Sequence, residues 1–321
     1  MHWFAETRED YCPRWFRAMA QAFPDRWRTL ELDGQISGAV LLKNTPTPDR
    51  VAVIISGGGS NGPFIPGFVG EGMADAAVVG PPYTAPSAYA LYEAGKALGR
   101  EKGILLLYNN FMGDYLNNDM AAELLQLDGY EVEQVTCYDD MGMAIGEPRE
   151  NRGGRIAIAY LIKLCAEAAR QGKSLKEIAD LARKAIARSA TLCVVVEPEK
   201  NCVTYGAGFS DEPGFLTREN ATIAGTAEET IQMLCDDVKP QPGERVYMLV
   251  NRMRMTSYSD SFVMAGCLKE ALDSRVQGAQ MRVGGYMQVM DCYGYTVTLL
   301  CADQEIAPYL EGTLCGDGFL L

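Results

Sequence analysis

Histidine is almost absent from this sequence: its 321 residues contain a single one, His2, close to the start of the chain. Residues so near a chain end are seldom held in a fixed position. The lack of any further histidine excludes catalytic Ser–His and Cys–His pairs as well as histidine-ligated metal sites. Proton transfer at a site of this chain must therefore use carboxylates, tyrosines, lysines or a group brought by a partner.

Other familiar patterns are missing too. No apolar run approaches the roughly 20 residues that a membrane-spanning helix needs. The first residues carry Glu6, Glu9 and Asp10 where a secretion signal would be basic and then apolar. The ten cysteines include no CxxC pair, which argues against zinc and iron–sulfur sites and for a reducing compartment. We therefore expect a cytoplasmic protein that contacts no membrane and binds no metal of its own.

The charge balance is strongly acidic. Asp and Glu number 42 against 29 Lys and Arg, so the net charge is −13. A surface of that sign repels the phosphate backbone, and nucleic acid is not an expected partner. Hydrophobic residues make up 48% and charged residues 22% of the chain, which is typical of globular proteins. The length suffices for two domains, each with its own core.

Short apolar runs alternate with helical patterns in the first part of the chain. Such alternation predicts right-handed βαβ units and a parallel sheet. The composition changes near residue 190, after which further strands and helices follow. The predicted fold class is α/β, with two domains at 1–190 and 191–321 that contain mainly parallel or mixed sheets. The predicted strands of the first domain include 51–55, 76–79 and 103–108, and Ser87 is predicted to cap the helix after the second of them. In the second domain, 204–214 is predicted to be a glycine-bearing loop.

Three polar or glycine-rich loops follow those strands, at 57–63, 81–87 and 109–114. In parallel α/β sheets, ligands bind at the carboxyl ends of the strands, where such loops begin. Three successive glycines at 57–59 would let backbone N–H groups approach a phosphate or a sugar oxygen. The same glycines are equally consistent with a plain tight turn. The segment matches neither the Walker A nor the G-x-G-x-x-G pattern.

Asp114 is the leading candidate for a catalytic base. It lies at the end of the third loop, with the amides of Asn109 and Asn110 nearby in sequence. A general base must come within about 3 Å of the hydroxyl that it deprotonates, and a loop at a strand end can provide this. The alternative is that Asp114 caps the helix that follows, because aspartate is a preferred N-cap residue.

Several segments resemble motifs of the dihydroxyacetone kinases. Residues 56–70, SGGGSNGPFIPGFVG, are similar to the family segment SGGGSGHEPxHxGFVG, and NFMGDYLN at 110–117 is similar to NYxGDxLN. Asp139-Asp140, RGGRIA at 152–157 and GAGFSDEPG at 206–214 resemble the later D-D, RRGIAG and GxGIHGEPG motifs. The motifs keep the family order over most of residues 51 to 300. The chain is identified as a divergent member of the family's ketose-binding, DhaK-like subunits.

The resemblance implies a ketose site at the domain junction, with Asp114 as the base that activates a hydroxyl. Ser210 stands where the family has the histidine that holds the substrate carbonyl as a hemiaminal, which a serine cannot form. The two histidines of the glycine loop are also replaced, one by Gly62 or a one-residue deletion and the other by Pro66. The expected substrate-binding residues are Gly58, Gly59, Ser60, Asn61, Thr84, Asn109 and Ser210.

The resemblance also implies what this chain leaves to partners. No cofactor is expected in the chain itself, and the phosphoryl donor would be ATP with Mg²⁺ or a phosphotransferase phosphoprotein acting through a helical nucleotide-binding, DhaL-like subunit. A homodimer is implied as well. The predicted function is a kinase subunit for a small ketose or polyol. The alternatives are a non-catalytic ligand sensor or coactivator, and an enzyme for a substrate without a ketone, held by Tyr83, Thr84, Asn109 and Ser210.

Overall fold

The computed structural model describes residues 4–44, 49–59, 61–99, 101–208, 212–289 and 291–314. The chain divides into two compact units. The first comprises Met1–Cys137, Ile158–Arg183 and Tyr309–Leu320, and the second comprises Tyr138–Ala157 and Lys184–Pro308. The sequence predicts one boundary near residue 190, with one domain on each side of it. In the structure the chain passes between the units more than once, so each unit contains separate segments.

The first unit is built on a mixed sheet that has six strands among the described residues, in the order β1-β2-β4-β3-β5-β6. The strands are β1 (Trp27–Leu30), β2 (Ala39–Lys43), β3 (Ala52–Gly59), β4 (Ala76–Pro82), β5 (Ile104–Asn109) and β6 (Val132–Cys137). Strands β3 to β6 run parallel, whereas β1 and β2 pair antiparallel at one edge. The helices are α1 (Arg8–Ala22), α2 (Ala88–Leu98), α3 (Met112–Leu127), α4 (Ile158–Arg170) and α5 (Leu175–Ala187).

The central strands of this sheet are buried on both faces. In β3 and β5, nearly every residue is inaccessible to solvent, as the continuous apolar runs predict for parallel strands. Alternate residues, among them Ile54 and Leu106, form one core with Leu91 of α2 and Leu125 of α3. Helix α4 packs against β3 and β5 as well. Helices α2, α3 and α4 thus cover the central strands, whose carboxyl ends lead into the loops.

The chain order of the strands creates a switch point next to β3. From β3 the chain crosses to β4 on one side, and it then returns to β5 on the other side. Crevices at such points, outside the carboxyl ends of the strands, are where open α/β sheets bind ligands. The glycine end of β3 lies at this point of the sheet.

The second unit has a mixed sheet with six strands in the described part of the chain, ordered β11-β10-β12-β7-β8-β9. Strands β10 and β11 are parallel and the remaining neighbours are antiparallel. Its strands are β7 (Ser189–Glu197), β8 (Cys202–Ala207), β9 (Pro213–Glu219), β10 (Arg245–Arg252), β11 (Gln280–Gly284) and β12 (Gly294–Ala302). Helices α6 (Ile223–Val238) and α7 (Tyr258–Asp273) share a core with this sheet.

Two local predictions differ from the structure. The triple glycine is not a loop, because it continues β3 as far as Gly59 and pairs with β4. The segment 204–214, predicted as a loop, contains the end of β8 and the start of β9. Glycine weakens the sequence signal of a strand without preventing backbone pairing. The predicted N-cap is confirmed at Ser87, whose side chain accepts a hydrogen bond from the N–H of Ala90.

None of the helices in the described residues combines the length and the apolar character that a membrane span requires.

Candidate functional site

The loops at the carboxyl edge of the first unit's sheet contact one another. A Cβ atom on Gly58 would lie 2.9 Å from the backbone N of Thr84, and one on Gly113 would lie 3.4 Å from the Cβ of Ala85. The carbonyl oxygen of Gly59 accepts a hydrogen bond from the N–H of Tyr83 at 3.2 Å. The structure therefore brings the end of β3, the β4–α2 connection and the first turn of α3 together within one unit.

The glycines at the end of β3 are required by packing. At Gly58 an added methyl group would collide with the backbone of Tyr83 and Thr84, and at Gly59 it would collide with the sulfur of Cys12 and the carbonyl oxygen of Gly80. Rigid backbone cannot move aside cheaply for such a group. The close approach thus gives these glycines a structural role, whether or not a ligand also contacts their N–H groups.

Thr84 lies at the surface, beside an arginine that the sequence did not single out. The guanidinium of Arg8, from α1, donates to the hydroxyl of Thr84 at 2.9 Å and also to the carbonyl oxygen of Pro82. This pairing places a permanent positive charge at the end of β4. No local motif marks Arg8, because its partners lie more than 70 residues further along the chain.

Helix α3 begins at this edge, and Asp114 lies in its first turn. The N-cap position is occupied by Phe111, whose side chain offers no hydrogen bond, so the alternative in which Asp114 caps the helix is wrong. Only 7% of Asp114 is exposed, and its Oδ1 has no hydrogen-bond partner among the described residues. An unpaired buried carboxylate oxygen is costly, and such groups concentrate at functional sites.

The surroundings of Asp114 favour its neutral form. Burial raises the pKa of its carboxyl group from 3.8 to about 7. The positive end of the α3 dipole acts in the opposite direction, but such an interaction contributes only about 0.3–1 kcal/mol. A shift of roughly three pKa units corresponds to about 4 kcal/mol, so desolvation dominates. A carboxylate that titrates near neutral pH is well suited to act as a general base.

This pKa predicts an unusual dependence of stability on pH. Between the unfolded and folded pKa values of Asp114 the folded chain binds the extra proton, so its contribution to stability falls as the pH rises from about 4 to about 7. Asp114→Asn, which cannot ionise, should be more stable than wild type by about 2–4 kcal/mol at pH 8. At pH 3, where the carboxyl is largely protonated in both the folded and the unfolded chain, the difference should nearly vanish. Urea unfolding at the two pH values measures it, and equal differences at both would contradict the assignment.

Two asparagines add further acceptor oxygens at this edge. Asn109 ends β5 and is buried, while Asn61 follows the glycines; Oδ1 of each is buried without a partner in the described residues. Together with Oδ1 of Asp114 they make three oxygens that lack a donor. A ligand rich in hydroxyl groups would supply such donors.

The first turns of α3 are held by side chains that the sequence analysis did not select. Asn118 bonds to Ser56 of β3, directly before the glycines, at 3.0 Å. Oδ1 of Asn117 accepts from the N–H of Ala88 at the start of α2, and its Nδ2 donates to the carbonyl oxygen of Gly113. Their signal in the sequence is weak, because asparagines in the first turns of a helix are common.

In the second unit, the Asp139-Asp140 pair is buried, and Arg155 links it to Glu212. Nη2 of Arg155 lies 2.8 Å from Oδ2 of Asp140 and 2.7 Å from Oε1 of Glu212. Asp139 accepts hydrogen bonds from the backbone N–H groups of Arg155 and Ala157. Burial raises the pKa of Asp140 to about 6, against the lowering effect of Arg155. These contacts hold the segment that begins at Glu212.

The structure thus brings Gly58, Gly59, Thr84, Asn109 and Asp114 to one edge of one sheet. Ser60 and Ser210 lie outside the described residues, so their predicted roles remain predictions. In the ranges that the structure describes, no three His, Cys, Asp or Glu side chains cluster so that they could hold a metal ion.

Known proteins resemble the chain over most of its length. Residues 18–314 match the Dak1 domain. A Listeria innocua protein, the dihydroxyacetone-binding subunit DhaK of PTS-dependent dihydroxyacetone kinase 2, is 32% identical over 85% of this chain and 86% of its own. The corresponding subunit of Lactococcus lactis is 30% identical over 83% and 84%. A solved structure concerned with regulation of the dha operon of Lactococcus lactis superposes with a TM-score of 0.84 at 23% identity, covering 94% of this chain and 93% of its own. That likeness establishes the shared fold.

Proposed function

Because the chain belongs to the Dak1 domain family, we propose that it is the substrate-binding subunit of a kinase that phosphorylates a small ketose or polyol. Its relatives from Listeria innocua and Lactococcus lactis are named as dihydroxyacetone-binding subunits. Family membership supplies the substrate class, and the buried, unpartnered carboxyl oxygen of Asp114 is the observation that carries the reaction. In this proposal a terminal hydroxyl of the substrate donates to that oxygen.

The proposed reaction uses Asp114 as a base. Phosphoryl transfer depends mainly on alignment and charge neutralisation, and the protein must also accept the proton of the attacking hydroxyl. The pKa of about 7 leaves a large fraction of Asp114 ionised at neutral pH, yet basic enough to take that proton. Asn61 and Asn109 would accept hydrogen bonds from the remaining hydroxyl groups. Arg8 lies beside Thr84, where a positive charge would favour an incoming phosphoryl group.

The phosphoryl donor would come from a nucleotide-binding partner subunit, or from a phosphotransferase phosphoprotein acting through it. Helix α3, which carries Asp114, also presents an exposed apolar stripe. Met112, Leu116 and Met120 follow one another at intervals of four residues, and each is more than half exposed. That spacing places them on one helix face. Exposed apolar patches of this kind commonly mark protein contact sites, and this one begins next to the proposed base.

We expect Leu116→Lys to weaken docking of the partner. Placing a charge in an apolar contact should raise the partner concentration needed for half-maximal turnover by about tenfold or more. Turnover at saturating partner should stay close to that of wild type, because the carboxyl group is untouched. Val263→Lys is the matched control, since Val263 is as exposed as Leu116, at 57%, but lies on α7 of the second unit, outside the stripe. If both variants respond alike, the stripe is not the docking surface.

The resemblance implies that Ser210 stands in the place of the family histidine, and this favours a second candidate, a ligand sensor or coactivator without catalytic activity. One experiment separates the two. The chain is mixed with dihydroxyacetone, erythrulose or glycerol, a helical nucleotide-binding partner subunit and a phosphoryl donor, and the phosphorylated product is measured. Thermal unfolding is followed with the same ligands, because a ligand that binds the folded state alone raises the melting temperature. Formation of product supports the kinase, and stabilisation without product supports the sensor. The absence of both product and stabilisation would contradict both proposals.

A further inference from the structure

Two buried polar side chains connect the glycine end of β3 to the helix of Asp114. Ser56 directly precedes Gly57, and Asn118 follows Asp114 by about one helical turn. Neither is appreciably exposed, at 1% and 0%. Nδ2 of Asn118 donates to Oγ of Ser56 at 3.0 Å and to the carbonyl oxygen of Asp114 at 2.8 Å. The Ser56 hydroxyl lies 3.2 Å from Oδ1 of Asn118, to which it can donate in turn.

Stability alone does not account for this pair. Neighbouring positions of β3 and α3 are apolar and well packed, as with Ile54 and Leu125. A buried, fully paired hydrogen bond contributes modestly to stability, and replacing both partners by apolar groups of similar shape can be nearly neutral. An apolar contact, however, has no preferred direction. The hydrogen bonds fix where the first turns of α3 lie along β3.

We propose that Asn118 is a positioning residue, which through Ser56 and the carbonyl group of Asp114 sets where the Asp114 carboxyl lies relative to the glycine end of β3. The effect of Asn118 on the reaction rests on the proposed function. Its positioning of the Asp114 carboxyl, in contrast, exists in the free protein. Misplacing a reacting group by about 1 Å can cost about a hundredfold in rate. Asn118 touches neither the substrate nor the donor in this scheme and acts through Asp114.

The test compares wild type with the double variant Ser56→Ala/Asn118→Leu, in which no buried polar group is left without a partner. The Asp114 carboxyl is followed by ¹³C NMR against pH in the free protein. A loosened first turn admits water, so the pKa of Asp114 should fall by about one unit in the double variant, a tenfold change in its ionisation constant. With partner and donor present, kcat should fall about 10–100-fold with little change in KM, and its pH profile should shift in the same direction.

Tyr92→Phe provides the matched control. It removes the hydrogen bond of 2.6 Å between Tyr92 and Asp128 at the other end of α3. It should alter neither the titration of Asp114 nor kcat. Ser56→Ala alone, which keeps the bond from Asn118 to the Asp114 carbonyl, should give a smaller shift in the same direction and replaces the double variant if that one does not fold.

The outcomes for this proposal and for the proposed function are separable. A folded double variant whose Asp114 titrates as in wild type would overturn the positioning role, even if the wild-type chain proves to be an active kinase subunit. If the wild-type chain gives no product with any hydroxylated substrate, the proposed function fails, and the titration in the free protein still decides whether Asn118 positions the carboxyl.

Discussion

Asp114→Asn should lower phosphoryl transfer by about 10²–10⁴-fold, the range expected when a general base is removed. Asparagine has nearly the same shape and still forms hydrogen bonds, so the fold and the binding of a hydroxylated ligand should survive. What is lost is the capacity to take the proton from the attacking hydroxyl. In wild type, the rate should rise with pH through about 7 as Asp114 ionises, and that rise should be missing in the variant. Steady-state assays with partner and donor between pH 5.5 and 8.5 measure both effects.

The control for this prediction lies on the same helix. Asp119 lies five residues beyond Asp114, and its carboxylate accepts a hydrogen bond from Gln134. The control variant Asp119→Asn removes this carboxylate. It should leave the rate and its pH profile essentially as in wild type. Equal turnover of Asp114→Asn and wild type would remove Asp114 from the reaction and leave the chain as a binding protein.

Of the substitutions proposed for this chain, Arg155→Leu should lower the free energy of unfolding the most, by about 3–5 kcal/mol. This is the loss expected when one partner of a buried ion pair is removed. The guanidinium is 3% exposed and lies between the carboxylates of Asp140 and Glu212. Without it, two negative charges remain buried close together. The pKa of Asp140, already raised to about 6 by burial, should rise further. The loss should therefore grow as the pH increases, because both carboxyls must then ionise inside the protein.

Urea unfolding followed by circular dichroism measures this loss. Tryptophan fluorescence offers a comparison with the first unit, to which Trp15 and Trp27 belong. The control is Arg155→Leu combined with Asp140→Asn and Glu212→Gln, which neutralises the charges and should recover much of the stability. A loss below about 1 kcal/mol in the single variant, the value of an exposed pair, would show that this ion pair is not effectively buried.

The sequence predicted the centre of the first unit well, because the relevant signals are local. The apolar runs of β3 and β5 and the cap at Ser87 each depend on neighbouring residues. Placing Asp114 near the carboxyl edge required only the strand assignment and the rule that loops there bind ligands. Motif order then identified the family.

The contacts that tune the site were not predictable in the same way. Ser56 and Asn118 are 62 residues apart, and Arg155 and Glu212 are 57 apart. Which polar residues become buried together is decided by tertiary packing, not by spacing along the chain. The strand β2 was missed for a related reason, since its burial comes from pairing with β4. Tertiary packing also decides how the chain divides into discontinuous units, and spacing along the sequence does not reveal it.

The most direct test of the account is the titration of the Asp114 carboxyl by ¹³C NMR, with and without a saturating small ketose or polyol. We expect the carboxyl to titrate near pH 7 in the free protein, and we expect dihydroxyacetone, erythrulose or glycerol to shift its signal and its pKa as a hydroxyl binds to it. A carboxyl that titrates near its ordinary value of 3.8 and responds to none of these ligands would contradict the account.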